Sequence, residues 1–103
     1  MKYKAVRTTV DGIPFASKKE ARRYEELKML RVQRIVSDIQ LQPKFKIEVN
    51  GKFICHYIAD FCYIDHARHC SVIYEDVKGY KTPVYKLKKK LTEALFNITI
   101  HEV

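Results

Sequence analysis

Two carboxylates and one lysine stand where reactive chemistry is most legible. Asp60 is the single ionisable acid in the apolar run Phe53-Ile54-Cys55-His56-Tyr57-Ile58-Ala59-Asp60-Phe61-Cys62-Tyr63-Ile64. That run is predicted to be a central strand covered on both faces, with Asp60 on the face of Ile58 and Cys62. A carboxylate buried there needs a donor, a cation or a metal; a structural, hydrogen-bonded aspartate is the competing reading. The second feature is Asp76-Val77-Lys78. Side chains two apart share a strand face, so Asp76 and Lys78 project together while Glu75 and Val77 point the other way. Alone, the pair reads equally well as a salt bridge. If the two strands pair through Asp65–His69, Asp60 and Asp76 become neighbours, and a hard, oxygen-seeking cation such as Mg²⁺ would relieve their repulsion. The register leaves open whether Glu75 rather than Asp76 is the ligand, should a bulge intervene.

A third carboxylate, Glu20, belongs to a helix. At about 100° per residue it falls amid Ala21, Tyr24, Leu27 and Leu30, on the apolar stripe. Ser17-Lys18-Lys19-Glu20 also has the form of a capping box, in which Glu20 only folds back to an amide.

The elements that must hold these residues follow from patterning. Residues 3–16 alternate around Asp11-Gly12 and predict a short N-terminal hairpin or arm, with Pro14 on an edge. A helix runs from Ser17 to about Ile35. Leu41, Phe45, Ile47 and Val49 alternate with Lys44, Lys46 and Glu48 as a strand, and Asn50-Gly51 turns it into the 53–64 strand. Ser71 to Lys78 form a third strand. Thr82-Pro83 opens a second helix with Val84, Leu87, Leu91, Ala94 and Leu95 inward and Lys86 and Lys89 outward, ended by Asn97. Ile98-Thr99-Ile100 is a last strand. The predicted class is α/β (α+β): an α-β-β-β-α-β core whose mixed central sheet carries a helix on each face.

In this order, helix Glu20, Ala59-Asp60 and Asp76-Val77-Lys78 resemble the PD-(D/E)XK nuclease superfamily. The blocks Ser17–Tyr24, Leu41–Phe45, Tyr57–Phe61 and Tyr74–Pro83 are similar to a family of small phage and prophage proteins placed among these nucleases. The resemblance implies metal-dependent hydrolysis of DNA phosphodiesters. Asp60, Asp76 and the Val77 carbonyl would hold Mg²⁺, with Mn²⁺ as a substitute, and Glu20 would complete the metal's outer or second site. Lys78 would orient or activate water. Ala59 stands where the motif has proline, and Asp76 where glutamate is more usual. The same resemblance implies a phage or prophage protein in a bacterial host, and the lack of a membrane-span or signal-peptide pattern predicts a cytoplasmic one.

Composition agrees with a polyanion partner. The 103 residues suffice for a single domain spanning 1–103, and 20 Lys and Arg against 12 Asp and Glu give a net charge of +8. Residues 1–35 carry 10 basic and 4 acidic residues, and 78–90 carry 6 lysines and no acid, whereas 36–77 carry 4 basic and 6 acidic. Two basic flanks thus bracket an acidic centre, an arrangement suited to gripping DNA beside a bound cation. Arg22, Arg23, Lys81, Lys86, Lys89 and Lys90 are the candidate phosphate contacts, Lys81 foremost because it precedes a helix N-terminus; Tyr80 and Tyr85 are candidates for stacking on a base. No apolar run is long enough for a membrane span and the N-terminus lacks a signal-peptide pattern. Cys55, His56, Cys62, His66, His69 and Cys70 lack a paired zinc spacing, and no third residue can be assigned to a Cys/His nucleophile.

The favoured expectation is a Mg²⁺-dependent endonuclease, extended by analogy to branched or Holliday-junction DNA and to a homodimer. The alternative is a non-catalytic DNA-binding module with the same fold. A basic RNA-binding domain ranks lower, since no RNP-type or GxxG motif is present.

Overall fold

The computed structural model describes residues 7–103; the start of the arm expected from residue 3 lies outside them. β1 (Thr8–Val10) pairs with β2 (Ile13–Phe15). Their turn, Asp11-Gly12, has φ of 54° and 75°, as a type I′ hairpin requires. Ser17 caps α1 (Lys18–Val32), its Oγ accepting from the Glu20 amide at 3.1 Å.

α1 ends before Ile35. Arg34 turns left-handed at φ 62°, and the Ile35 amide folds back to the Leu30 carbonyl at 2.9 Å. The chain is then free to form β3 (Val36–Leu41), a strand absent from the expected order. Its sequence lacks clean alternation because a register shift between Ser37 and Gln40, with Asp38 at φ 54°, breaks the face pattern.

β4 (Lys44–Val49) and β5 (Lys52–Ile58) form the hairpin that Asn50-Gly51 signals. β6 (Phe61–Asp65), a helical turn over His66–Arg68, and β7 (Ser71–Asp76) follow. The expected 53–64 strand is therefore two strands, and Asp60 sits at the break between them rather than mid-strand. The β3–β4 junction breaks at the matching place: the Gln42 amide donates to the Asp60 carbonyl at 2.9 Å and the Ala59 amide to the Pro43 carbonyl at 3.0 Å. One long antiparallel ribbon is thus bent at Gln42-Pro43 and Ala59-Asp60. Pro43, with no amide to give, and Gln42, at φ 52°, locate the bend. Nor is β5 covered on both faces, since Phe53, Ile54 and Ile58 are all about half exposed.

α2 (Pro83–Phe96) and β8 (Ile100–Glu102) complete the chain. β8 begins two residues later than expected, after left-handed Asn97, and runs parallel to β7 in a four-stranded sheet of order β3-β6-β7-β8. Alternation along β7 divides the core. Ile73 joins Phe15, Leu27, Phe61 and Tyr63 on the α1 side, while Tyr74 packs with Ile47, Tyr57 and Ile100 beside Tyr85 and Leu91 of α2. The α+β class and a helix on each face are as expected. The α2 stripe is not: Val84 and Leu87 are 62% and 61% exposed, and the buried residue is Thr92, whose hydroxyl donates to the Lys88 carbonyl at 2.8 Å. Tyr85, outside the expected stripe, and Leu91, within it, pack against the core from α2. Among the described residues no helix is long and apolar enough to cross a membrane.

Candidate metal and phosphate site

The β6–β7 register aligns Phe61 with Glu75 and carries one step further, where the Asp60 amide donates to the Glu75 carbonyl at 3.0 Å. Asp60 therefore lies beside the end of β7, next to Asp76. Its Oδ2 accepts from the Val77 amide at 2.7 Å. That bond fixes the carboxylate across the strand end and lowers its proton affinity. Burial outweighs it, and the Asp60 pKa is raised.

Asp76 is wholly buried, and among the described residues neither carboxylate oxygen has a hydrogen-bond partner. The Lys78 ammonium forms an ion pair with it, with Nζ 3.4 Å from Oδ1. Burial pushes its pKa up to about 6, against the pull of Lys78, and Glu102 adds to the rise. An orphaned, buried carboxylate is a costly thing to keep for structure alone.

Glu20 is nearly buried on α1, and its pKa is raised to about 7, first by burial and then by the charge of Asp60. Lys78 and the Ala16 amide pull it down, and Asp76 adds a smaller push upward. Glu20 thus shares one electrostatic field with Asp60, Asp76 and Lys78. It also answers the capping-box pattern in part, through the Ala16 amide. Among the described residues no three His, Cys, Asp or Glu side chains close into a metal cage. Glu20 is an electrostatic neighbour of the aspartates, not a third arm drawn onto a common point with them.

Lys78 is held from several sides. Its ammonium lies 4.7 Å from the centre of the Tyr85 ring, and its carbonyl accepts from Lys19 Nζ at 3.2 Å. It borders a groove of about 300 Å³ with Tyr57, Ile58, Thr82, Val84 and Lys88. A separate, smaller hollow of about 200 Å³ is lined by Glu20, Gln42 and Asp60.

Glu75 points to the other face of the sheet, as alternation predicts. β7 carries no bulge. Arg23 grips it with both nitrogens, Nε–Oε1 at 2.9 Å and Nη2–Oε2 at 2.6 Å, and the Tyr63 hydroxyl donates to it as well. Glu75 is thus engaged, whereas Asp76 is a carboxylate whose oxygens have no hydrogen-bond partner among the described residues. The same grip removes Arg23 from the free phosphate contacts, because its guanidinium is turned inward.

The remaining basic candidates divide. Arg22, Lys86 and Lys90 are exposed. Lys81 and Lys89 both lean on Glu102 Oε1, at 3.0 and 3.6 Å, so Lys89 does not face away as expected. Glu102 also accepts from the Tyr85 hydroxyl at 2.7 Å, which lowers its own pKa. Tyr85 is accordingly a pinned wall of the site rather than a free stacking ring. Sequence reading missed Glu102, Lys88 and Lys19. Glu102 reaches the site only through the parallel register that sets it against Asp76, and no local pattern announces that pairing.

Over residues 1–101 the sequence matches a protein family described as "Protein of unknown function (DUF1064)". The chain belongs to this family. Neither a curated protein nor a solved structure matches it.

Proposed function

We propose that this DUF1064 protein is a divalent-ion-dependent DNA endonuclease that hydrolyses phosphodiester bonds, with branched DNA as its substrate class. The observation that carries the reading is Asp76: fully buried, with neither oxygen hydrogen-bonded among the described residues, and 3.4 Å from a lysine ammonium at the end of a strand. A carboxylate serving the fold alone would be satisfied, as Glu75 is. The residues fit Mg²⁺, with Mn²⁺ as a substitute: Asp60, Asp76 and the Val77 carbonyl would hold the ion and water would fill the rest, a habit of this hard cation. When bound, such an ion polarises a phosphoryl oxygen and acidifies a coordinated water.

The chain's own residues supply the rest. The Val77 amide holds the Asp60 carboxylate in place. Lys78, steadied by Asp76 and the Tyr85 ring, orients the attacking water and offsets charge growing on the phosphate oxygens. Glu20, with its pKa raised to about 7, can hold or release a proton at its carboxylate near neutrality. Arg22, Lys86 and Lys90 are exposed to engage flanking phosphates, which position the backbone without reading sequence. Homodimer formation and a cytoplasmic bacterial setting belong to the same proposal.

The test is incubation of the protein with supercoiled, linear and four-way DNA in Mg²⁺, Mn²⁺ or chelator. Cleavage that requires the ion, favours the branched substrate and disappears in Asp76→Asn and Lys78→Ala supports the reading. Tight binding by wild type without any cutting would instead establish the non-catalytic DNA-binding module.

A further inference from the structure

A second cluster lies at the far end of β7, about 16 Å from Asp76 at roughly 3.3 Å per residue. The His66–Arg68 turn is held by Asp65, whose Oδ1 accepts from the Ala67 amide at 3.0 Å, and by the His66 amide bonding the Ile35 carbonyl at 2.9 Å. His69 and Cys70 are both left-handed, at φ 56° and 58°. That double reversal carries Cys70 back over the turn, where its Sγ lies 3.2 Å from His66 Nδ1. The other ring nitrogen, Nε2, lies 2.7 Å from Ser37 Oγ.

The direction of these bonds follows from the residue behind them. Ser37 Oγ donates to Asp38 Oδ2 at 3.2 Å, and a carboxylate can only accept. Ser37 Oγ is then the acceptor for His66 Nε2–H. This tautomer leaves the lone pair of Nδ1 facing the Cys70 thiol. The bulge in β3 aims Ser37 and Asp38 at this turn, which is why no sequence spacing shows a third member for a Cys/His pair. Nucleophile, base and orienting group stand in order on an exposed edge.

We propose that Cys70 is a nucleophilic thiol, a covalent modification site for low-molecular-weight disulfides. The thiol passes its proton to His66 Nδ1, and the thiolate attacks one sulfur of the disulfide. A protein–small-molecule S–S bond forms as the original S–S bond breaks. The departing thiolate takes the proton from the imidazolium, so protons and electrons balance. The other two cysteines are poorer nucleophiles by placement. Cys62 is buried, which raises its thiol pKa, and Cys55 is half-buried in the β4–β5 hairpin. The site is independent of the proposed nuclease centre.

Reduced full-length protein is incubated with oxidised glutathione near pH 7, quenched with acid and mapped by peptide mass spectrometry over time. The mixed disulfide is expected on Cys70 first, at least about tenfold faster than the exchange of free glutathione at the same pH. His66→Gln should remove that advantage and Ser37→Ala most of it, with circular dichroism confirming that both remain folded. Should one variant fail to fold, the other decides. Reaction at Cys70 no faster than free glutathione, or a rate unchanged in the folded variants, overturns the proposal. So does modification that begins at Cys55.

Discussion

Asp76 and Glu75 are adjacent acids with opposite fates, and β7's two-residue alternation is what separates them. Glu75 is enclosed by Arg23 and Tyr63, so Arg23→Ala leaves a buried charge unpaired and should cost about 3–5 kcal/mol in a denaturant melt. Asp76 lacks such company. Its folded pKa is raised, so the stability it contributes is full below the ordinary value of 3.8 and is lost as pH climbs through about 6. Glu20 behaves alike between 4.5 and about 7. The metal-free protein should therefore melt lower at pH 8 than at pH 5. Asp76→Asn should raise the melting temperature at pH 8, by the equivalent of about 2–3 kcal/mol at most, and by roughly half that at pH 5. A metal-free melting temperature that rises between these pH values would sink the assignment of a strained carboxylate. The triad of Asp60, Asp76 and Lys78 was legible because a lone acid in an apolar run and an Asp-x-Lys pair are conspicuous. The inward turn of Arg23 was not, because a basic helix residue reads the same whether it faces phosphate or a buried glutamate across the sheet.

The helices and hairpin turns follow local chemistry, and so local reading finds them. Ser17, Thr82, Asn97, Asp11-Gly12 and Asn50-Gly51 each act within a few residues of themselves. Ser17→Ala removes the acceptor for the Glu20 amide and should cost about 1 kcal/mol. It should also slow turnover more than it weakens DNA binding, because it loosens the helix turn that carries Glu20. Equal loss in binding and turnover would mean that Ser17 supports the fold alone. What local reading misses is the bent ribbon. Whether Ala59-Asp60 continues a strand or breaks one depends on Pro43 across the ladder, and β8's register depends on β7. The expected burial of Val84 and Leu87 fails for a related reason: helical periodicity finds an apolar stripe, but the sheet decides which side of α2 is covered.

For the whole molecule, the charge division between basic flanks and acidic centre acquires a shape. α1 packs against β1, β2 and β3 and carries exposed Arg22, while α2 packs against the β4–β5 hairpin and carries exposed Lys86 and Lys90. Binding through phosphates should weaken steeply with salt, a log–log slope of roughly −3 to −5 in fluorescence anisotropy if about four to six phosphates are engaged. Lys86→Ala with Lys90→Ala should flatten the slope without altering substrate preference. A slope near zero would remove DNA from the account. The most direct measurement of the central claim is a Mn²⁺ titration of the folded protein, read by electron paramagnetic resonance, on wild type and Asp76→Asn. The expected result is a saturable site in wild type that vanishes in the variant. Mn²⁺ that stays wholly free in wild type, or binds both proteins alike, would contradict it.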